Sequence, residues 1–301
     1  STLSSSSAAS DVYKRQVSRL YQYFSSPFDM ADPLLHVVSS ILSALTSVAK
    51  LSTMAKAIGV DIGGTGIKAG LVDLEHGIMA SDRVRVPTPK GASPQDVLEA
   101  VQTVLKTLDV KDSTLPLGVA FPAIVKRGKT LSAANVSKEW VDFDAERFFR
   151  DGLGRNIVFV NDADAAGVAE ARHGAARDVR GFTLLTTLGT GIGSAFLYDG
   201  VLLPNTELGH LNFGEYESVE TYAATSARER EGLSWSEWAE RLQRFYSHIE
   251  FLFSPDLFVV GGGVSKNAGD FLPLLDLKTP IVPAIHRNNS GIIGAASLAG
   301  D

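Results

Sequence analysis

Residues 58–68 read I-G-V-D-I-G-G-T-G-I-K. A β-type apolar run through Ala57, Ile58 and Val60 carries a carboxylate, Asp61, at its end. Gly63, Gly64, Thr65 and Gly66 follow at once, and Ile67, Leu71 and Val72 resume a strand pattern. Glycines adopt positive φ readily and let backbone N–H groups crowd around an anion. Thr65 adds a hydroxyl and Lys68 adds a cation. A carboxylate beside an anion nest would repel phosphate unless a divalent cation sits between them, so Asp61 is a metal-ligand candidate. The chemistry implied is phosphoryl transfer. A glycine-rich hairpin without a ligand accounts for the same string equally well.

Three further strings bear on the choice. L-G-T-G-I-G at 188–193 supplies Gly189, Thr190, Gly191 and Gly193. It leads into a strand rather than a helix and lacks the dinucleotide spacing, which argues against a Rossmann site. Beside the first turn it points to phosphate. V-N-D-A-D-A-A-G at 160–167 follows a strand and opens a helix over 162–173. Asn161 or Asp162 there caps the helix, or, beside two phosphate turns, the Asp162 carboxylate is a general base toward a hydroxyl. Asp164, two residues on, points elsewhere, to solvent or to a metal shell. T-E-L-G-H at 206–210 puts Glu207 and His210 three apart. With no cysteine this is a poor zinc site, and the pair suits sugar hydroxyls or a structural loop. The string Ala123 to Thr130 fits a relaxed Walker A pattern but feeds no helical period, so it reads as a strand entering a hairpin at Arg127-Gly128.

These groups need elements to carry them. Strand signals fall at 57–61, 66–73 and 78–86, then at 116–121 and 157–160. Ser93 as N-cap and Pro94 open a helix whose Val97, Leu98, Val101, Val104, Leu105 and Leu108 share a face. Strands at 182–187 and 194–198 repeat the strand–glycine turn–strand unit. Ser234 and Glu237 form a capping box before a helix with Trp235, Trp238, Leu242, Phe245, Ile249 and Leu252 on its buried stripe. Leu257–Val260 is another strand, ending in Gly261-Gly262-Gly263, and Ser290–Ala299 a small-residue helix. The repeated unit predicts a duplicated α/β fold with both glycine turns facing a central cleft.

The chain has 301 residues, 45% hydrophobic, with a formal net charge of −6 and no cysteine. Disulfides, thiolate metal sites and a cysteine nucleophile are excluded. The acidic balance disfavours nonspecific nucleic-acid binding. Residues 1–53 differ from the rest. They hold 14 serines, no glutamate and no glycine, with four Lys/Arg against three Asp. Residues 33–52 are too interrupted for a membrane span. The run S-D-V-Y-K-R-Q at 10–16 resembles translated sequencing-adapter read-through, and Met54 opens a natural start. Residues 1–53 are therefore expected to be a non-native or disordered extension, and 54–301 the folded unit.

Taken in order, these strings resemble the ROK-type sugar kinases of the hexokinase–actin–Hsp70 superfamily. Added to them are G-V-A-F-P-A, A-A-N-V-S-K-E-W, S-P-D-L-F-V-V-G-G-G-V-S and N-N-S-G-I-I-G-A-A. The likeness covers nearly all of 56–300 and is greatest to the polyphosphate glucokinase group, which includes polyphosphate/ATP glucomannokinases. It implies a two-domain actin-like ATPase (ribonuclease H-like) α/β fold with a central cleft. The division implied is a small domain at 54–160, with a C-terminal helix at 288–301 packing back on it, and a large domain at 161–287.

The implied activity is transfer of a phosphoryl group from polyphosphate or ATP to the 6-hydroxyl of glucose, with mannose left open by Pro122-Ala123. Asp162 would be the base and Asp61 would sit near Mg²⁺. Gly63 to Lys68 and Gly189 to Gly193 would hold phosphate, and Gly261, Gly262 and Gly263 would flank nucleotide or polyphosphate. Asn135, Asn161, Asp162, Glu207, His210 and Glu220 would hold the hexose. A cytoplasmic homodimer without nucleic-acid or membrane partners is implied. The cysteine-rich zinc motif usual in ROK proteins is missing here, as in the polyphosphate group. An ATP-only hexose kinase and a ROK-type sugar-sensing repressor are the alternatives, and residues 1–53 show no basic recognition helix. A polyphosphate chain needs an extended cationic track, for which Lys68, Arg172, Arg177, Lys266 and Arg287 are candidates.

Overall fold

The computed structural model describes residues 56–112, 114–133 and 136–301. The first apolar runs form β1 (Lys56–Gly63) and β2 (Gly66–Asp73), an antiparallel hairpin with Gly63 opposite Gly66. The single strand expected at 78–86 is two, β3 (Ile78–Met79) and β4 (Val84–Val86), each paired with β2. Met79 faces Val72 and Val84 faces Ala69, so residues 80–83 bulge from the ladder. Ser81 Oγ accepts the Leu71 N–H at 3.0 Å within that bulge.

β5 (Leu117–Phe121) runs parallel to β1. β6 (Val125–Lys126), β7 (Lys129–Thr130) and β8 (Phe143–Asp144) make a small separate sheet. Arg127 and Gly128 join β6 to β7 with φ of 54° and 77°. Two successive left-handed residues define a tight hairpin turn, so the Walker-like string is a hairpin, as expected. β9 (Val158–Asn161) pairs parallel to β5 and completes the first sheet in the order β3-β2-β1-β5-β9, with β4 also on β2.

The second sheet repeats the plan. β10 (Phe182–Leu188), β11 (Ile192–Tyr198) and β12 (Val201–Thr206) form an antiparallel meander. β13 (Leu257–Gly261) and β14 (Ile281–Pro283) add in parallel, giving β12-β11-β10-β13-β14. An antiparallel hairpin followed by parallel strands occurs in both sheets, which is the duplicated α/β architecture that the two glycine turns predict.

Among the described residues eight α-helices cover the sheets: α1 (Pro94–Leu108), α2 (Ala145–Leu153), α3 (Asp162–His173), α4 (Glu220–Ala223), α5 (Thr225–Glu231), α6 (Trp235–Phe253), α7 (Ala268–Phe271) and α8 (Ser290–Ala299). Ser93 caps α1 by accepting the Asp96 N–H, and Val97, Leu98, Val101 and Val104 are buried. Ser234 and Glu237 close a capping box on α6. Trp238, Leu242, Phe245 and Ile249 are buried, but Leu252 is 49% exposed, so the expected stripe ends one turn early.

α8 is seated on β1, β5 and α3 backbone to backbone. A Cβ at Gly59 would strike the Ile292 carbonyl, one at Gly118 the Ala295 carbonyl, and one at Gly294 the Ala165 carbonyl. Only glycine permits such approach, and it fixes α3 against the first sheet. Among the described residues no helix is long and apolar enough to cross a membrane.

Candidate active site

A cavity of about 520 Å³ lies between the two glycine turns. Gly63, Gly64 and Thr65 line it from the β1–β2 turn, and Gly189 to Gly193 from the β10–β11 turn. None of these glycines has positive φ, contrary to the reason first given for them. Their use is space. A Cβ on Gly64 or Gly189 would meet no protein atom within 4 Å, so glycine there leaves room for a ligand against the backbone.

Both turns are pinned from behind. Thr88 Oγ1 donates to Gly63 O at 2.5 Å, and Arg85 Nη2 donates to Thr65 O at 2.7 Å. Ser226 N donates to Gly189 O at 3.1 Å, and its Oγ donates to Thr190 O at 2.6 Å. Because trans peptides point N–H opposite C=O, the Gly64, Thr190 and Gly191 N–H groups face away from these braces.

Asn161 and Asp162 sit where β9 becomes α3 and line the same cavity. Asn161 is the cap: its Oδ1 accepts the Asp164 N–H at 2.9 Å, and its Nδ2 donates to Ala123 O at 3.0 Å. Its amide is thereby fixed as part of the wall. Asp162 is left free of capping. Its Oδ1 accepts the adjacent Ala163 N–H at 2.8 Å. Burial first, then the charges of Asp61 and Glu207, push its carboxyl up to about 7. Asp164 is not solvent-facing. It is 3% exposed, its Oδ2 accepts the Asn205 N–H at 2.8 Å, and burial pushes it up to about 7. Asp164 ties β12 to α3, and Asn205 in turn bonds both backbone groups of Val125.

On the far wall, His210 stands between two carboxylates, with Nδ1 3.6 Å from Glu207 Oε2 and Nε2 3.9 Å from Glu220 Oε1. Burial and the charge of Glu220 raise the Glu207 pKa, against the pull of His210. Glu220 Oε2 accepts the Ile192 N–H at 3.1 Å and occupies the place where a Gly191 Cβ would sit. Ser194 Oγ fixes the loop by accepting the Leu208 N–H and donating to Thr206 O. Glu207, His210 and Glu220 all line the cavity.

The remaining candidates lie apart from this lining. Lys68 Nζ pairs with Asp61 Oδ2 at 2.9 Å, and neither lines the cavity. Gly66 is flanked by the Arg85 guanidinium. Of the third glycine run only Gly262 reaches the cavity, with φ 82° and its face against Leu188. Asn135 lies outside the described residues. Among those residues no three His, Cys, Asp or Glu side chains cluster as a metal cage. Magnesium, however, is commonly held by one or two carboxylates plus phosphate and water. Asp61 and Asp162, close enough for one charge to shift the other's pKa, are hard oxygen donors of that kind and fit it.

The ROK family profile matches residues 57–219. The chain belongs to the ROK family. Polyphosphate glucokinase of Mycobacterium tuberculosis is 42% identical over 246 residues, covering 81% of this chain and 91% of that protein. The crystal structure of an inorganic polyphosphate/ATP-glucomannokinase from an Arthrobacter species is 54% identical, covers 80% of this chain and 97% of that one, and has a TM-score of 0.78. A ROK family glucokinase from Streptomyces griseus, solved with glucose and AMPPNP, is 25% identical, with coverages of 81% and 99% and a TM-score of 0.68. The ROK chain thus has the actin-like ATPase fold that its motifs predict.

Sequence reasoning missed the residues that brace this ROK site. Thr88, Arg85 and Ser226 lie far along the chain from the turns they hold, and no local pattern marks Thr88 or Ser226. The alternation V-R-V at 84–86 does fit the short strand that carries Arg85.

Proposed function

We propose that this ROK protein is a glucokinase that takes a phosphoryl group from inorganic polyphosphate or ATP and passes it to the 6-hydroxyl of glucose. Asp162 is the general base. The carrying observation is a carboxyl poised at about 7 in a cavity between two ligand-ready glycine turns. A base of that pKa is partly ionised at neutral pH and accepts a proton efficiently. The similarity to the M. tuberculosis polyphosphate glucokinase and the Arthrobacter glucomannokinase supports the donor and acceptor.

Glu207 and His210 present an acceptor and a donor–acceptor to sugar hydroxyls, and Glu220 holds His210 and the second turn together. Asn161 keeps the wall rigid beside Asp162. As the hydroxyl attacks, Asp162 takes its proton, and the N–H groups of both turns face the negative oxygens. Bound Mg²⁺, with Asp61 nearest, would neutralise charge on the transferring group. Lys68 holds the Asp61 carboxylate in place. Gly262 flanks the donor, and Asn135 belongs to the hexose contacts by resemblance. Pro122 and Ala123 line the cavity, and acceptance of mannose beside glucose rests on the resemblance of that pair to the glucomannokinase branch.

In this reading the unit comprises a small lobe, 54–160 with 288–301, and a large lobe, 161–287, that close on hexose, and the presence of one main sheet in each supports it. The reading includes a cytoplasmic homodimer, checked by sedimentation of the purified protein. Glucose-dependent consumption of polyphosphate or ATP is the decisive assay. A protein that binds glucose but phosphorylates it with neither donor would be a sensor of the repressor type instead.

A further inference from the structure

Cross-strand partners on a sheet project to the same side. Asp61 is opposite Lys68 on β2, and Lys68 is opposite Arg85 on β4. Gly59, two residues before Asp61, meets α8, and a Cβ on Gly291 would touch Asp61. This row therefore lies on the α8 side of the sheet, and Arg85 in it reaches the first glycine turn at Thr65 O. Arg83 lies just before β4, where the chain rejoins the ladder, and reaches the same side. Its Nη1 bonds Asn289 Oδ1 at 3.1 Å, just before α8 begins. Arg83, His286, Arg287, Asn288 and Asn289 line a groove of about 540 Å³ in which no carboxylate takes part.

The groove wall is built, not loose. Glu170 on α3 is fully buried and accepts the Ile285 and His286 N–H groups at 3.0 and 2.9 Å and the Ser290 hydroxyl at 3.3 Å. It thereby clamps the loop carrying Arg287 to the helix that begins with Asp162. Arg83, Arg85 and Arg287 are in no ion pair among the described residues. Asp82, next to Arg83, is exposed, and Asp61 is already paired with Lys68.

We propose that Arg85, Arg83 and Arg287, continuing the row from the Asp61–Lys68 ion pair, form a cationic track for the distal phosphates of a polyphosphate donor. The inference rests on the donor assigned above and adds where its chain runs. A nucleotide ends after three phosphates in a base, whereas a row of separate cations beyond the reaction centre matches a long, uniformly charged polymer. Arg172 and Arg177, the other expected arginines, are paired with Asp301 and Asp178, and Lys266 is not in this row.

The test is an Arg83→Gln/Arg287→Gln double variant assayed with ATP, tripolyphosphate and long-chain polyphosphate. The expected result is a roughly tenfold higher KM for long chains, the loss of a few charge-assisted contacts, with ATP-supported turnover within about twofold of wild type. Wild-type KM should fall as the polymer lengthens, and the variant's should not. Equal losses with all donors, or an unchanged KM for long chains, would overturn the track. If the wild type phosphorylates glucose with no donor, the glucokinase reading fails. Direct binding of long-chain polyphosphate then decides the track: weaker binding by the variant upholds it, and equal binding refutes it.

Discussion

Asp162, pushed up to about 7 by burial and then by the charge of Asp61, faces a carboxylate that Lys68 Nζ holds at 2.9 Å. One acid is committed to an ion pair and the other accepts few bonds in the cavity wall, which separates a metal-side role from a proton-accepting one.

Replacing Asp162 by Asn should lower glucose phosphorylation by about 10²–10⁴-fold with glucose affinity nearly unchanged. In the wild type kcat/KM should rise with pH through about 7, the pKa of the free carboxyl, and level off above it. Stopped assays with calorimetric glucose binding measure both. Near-normal turnover of the Asn variant removes Asp162 from the base role.

The same shift carries a stability consequence. The Asp162 pKa is raised from 3.8 to about 7 on folding, so the folded state binds the proton more tightly than the unfolded one. The carboxyl is harmless below about pH 4, destabilises increasingly as pH rises to about 7, and destabilises constantly above that. Asp162→Asn should therefore be more stable than wild type at pH 8, by about 1–3 kcal/mol, and indistinguishable from it at pH 4. Urea melts at the two pH values give the comparison, and a less stable variant at pH 8 contradicts it.

Gly64 and Gly59 predict opposite phenotypes for the same change. Gly64→Ala has an ordinary φ and an unobstructed Cβ, so its melting temperature should hold while its donor KM rises at least about tenfold. Gly59→Ala drives a methyl into the Ile292 carbonyl and should destabilise by more than about 3 kcal/mol. Thermal melts beside donor titrations distinguish them. Normal donor kinetics in Gly64→Ala would deny ligand contact at that turn.

Glu220→Ala should weaken both substrates, because Glu220 bonds the Ile192 N–H and also approaches His210. His210→Ala should raise only the glucose KM, by about tenfold. If the two variants show the same pattern with donor and acceptor, Glu220 does not link the two walls.

The repeated hairpins, the N-D corner and the capping box were legible because each is local: spacing of a few residues fixes strand, turn or cap. The 78–86 break was not, since it depends on Ser81 meeting Leu71 across the ladder. Leu252 looked buried because helical period alone cannot say where the covering layer ends. Asp164 looked exposed because its partner, Asn205, is forty-one residues away. The glycine turns were recognised for the wrong reason. Sequence shows that a residue is glycine but not whether torsion or space requires it, and space decides at Gly64. Arg83 and Arg85 were not among the expected cations, because only strand pairing shows that Arg85 continues the row from Lys68 and only the contact with Asn289 places Arg83 beside it.

The seating of α8 on Gly59 and Gly118 bears on how the chain acquires its shape during synthesis. The first sheet is emitted early, yet the helix that seals its inner face follows the strands of both sheets in the chain. A nascent chain must keep that glycine-lined surface uncovered until Ser290–Ala299 have left the ribosome, so closure of the first sheet waits on a segment made long after β5. A product truncated before Ser290 would expose the Asp162 helix and the first strands together, and would be removed by proteolysis instead of persisting as a half-active enzyme.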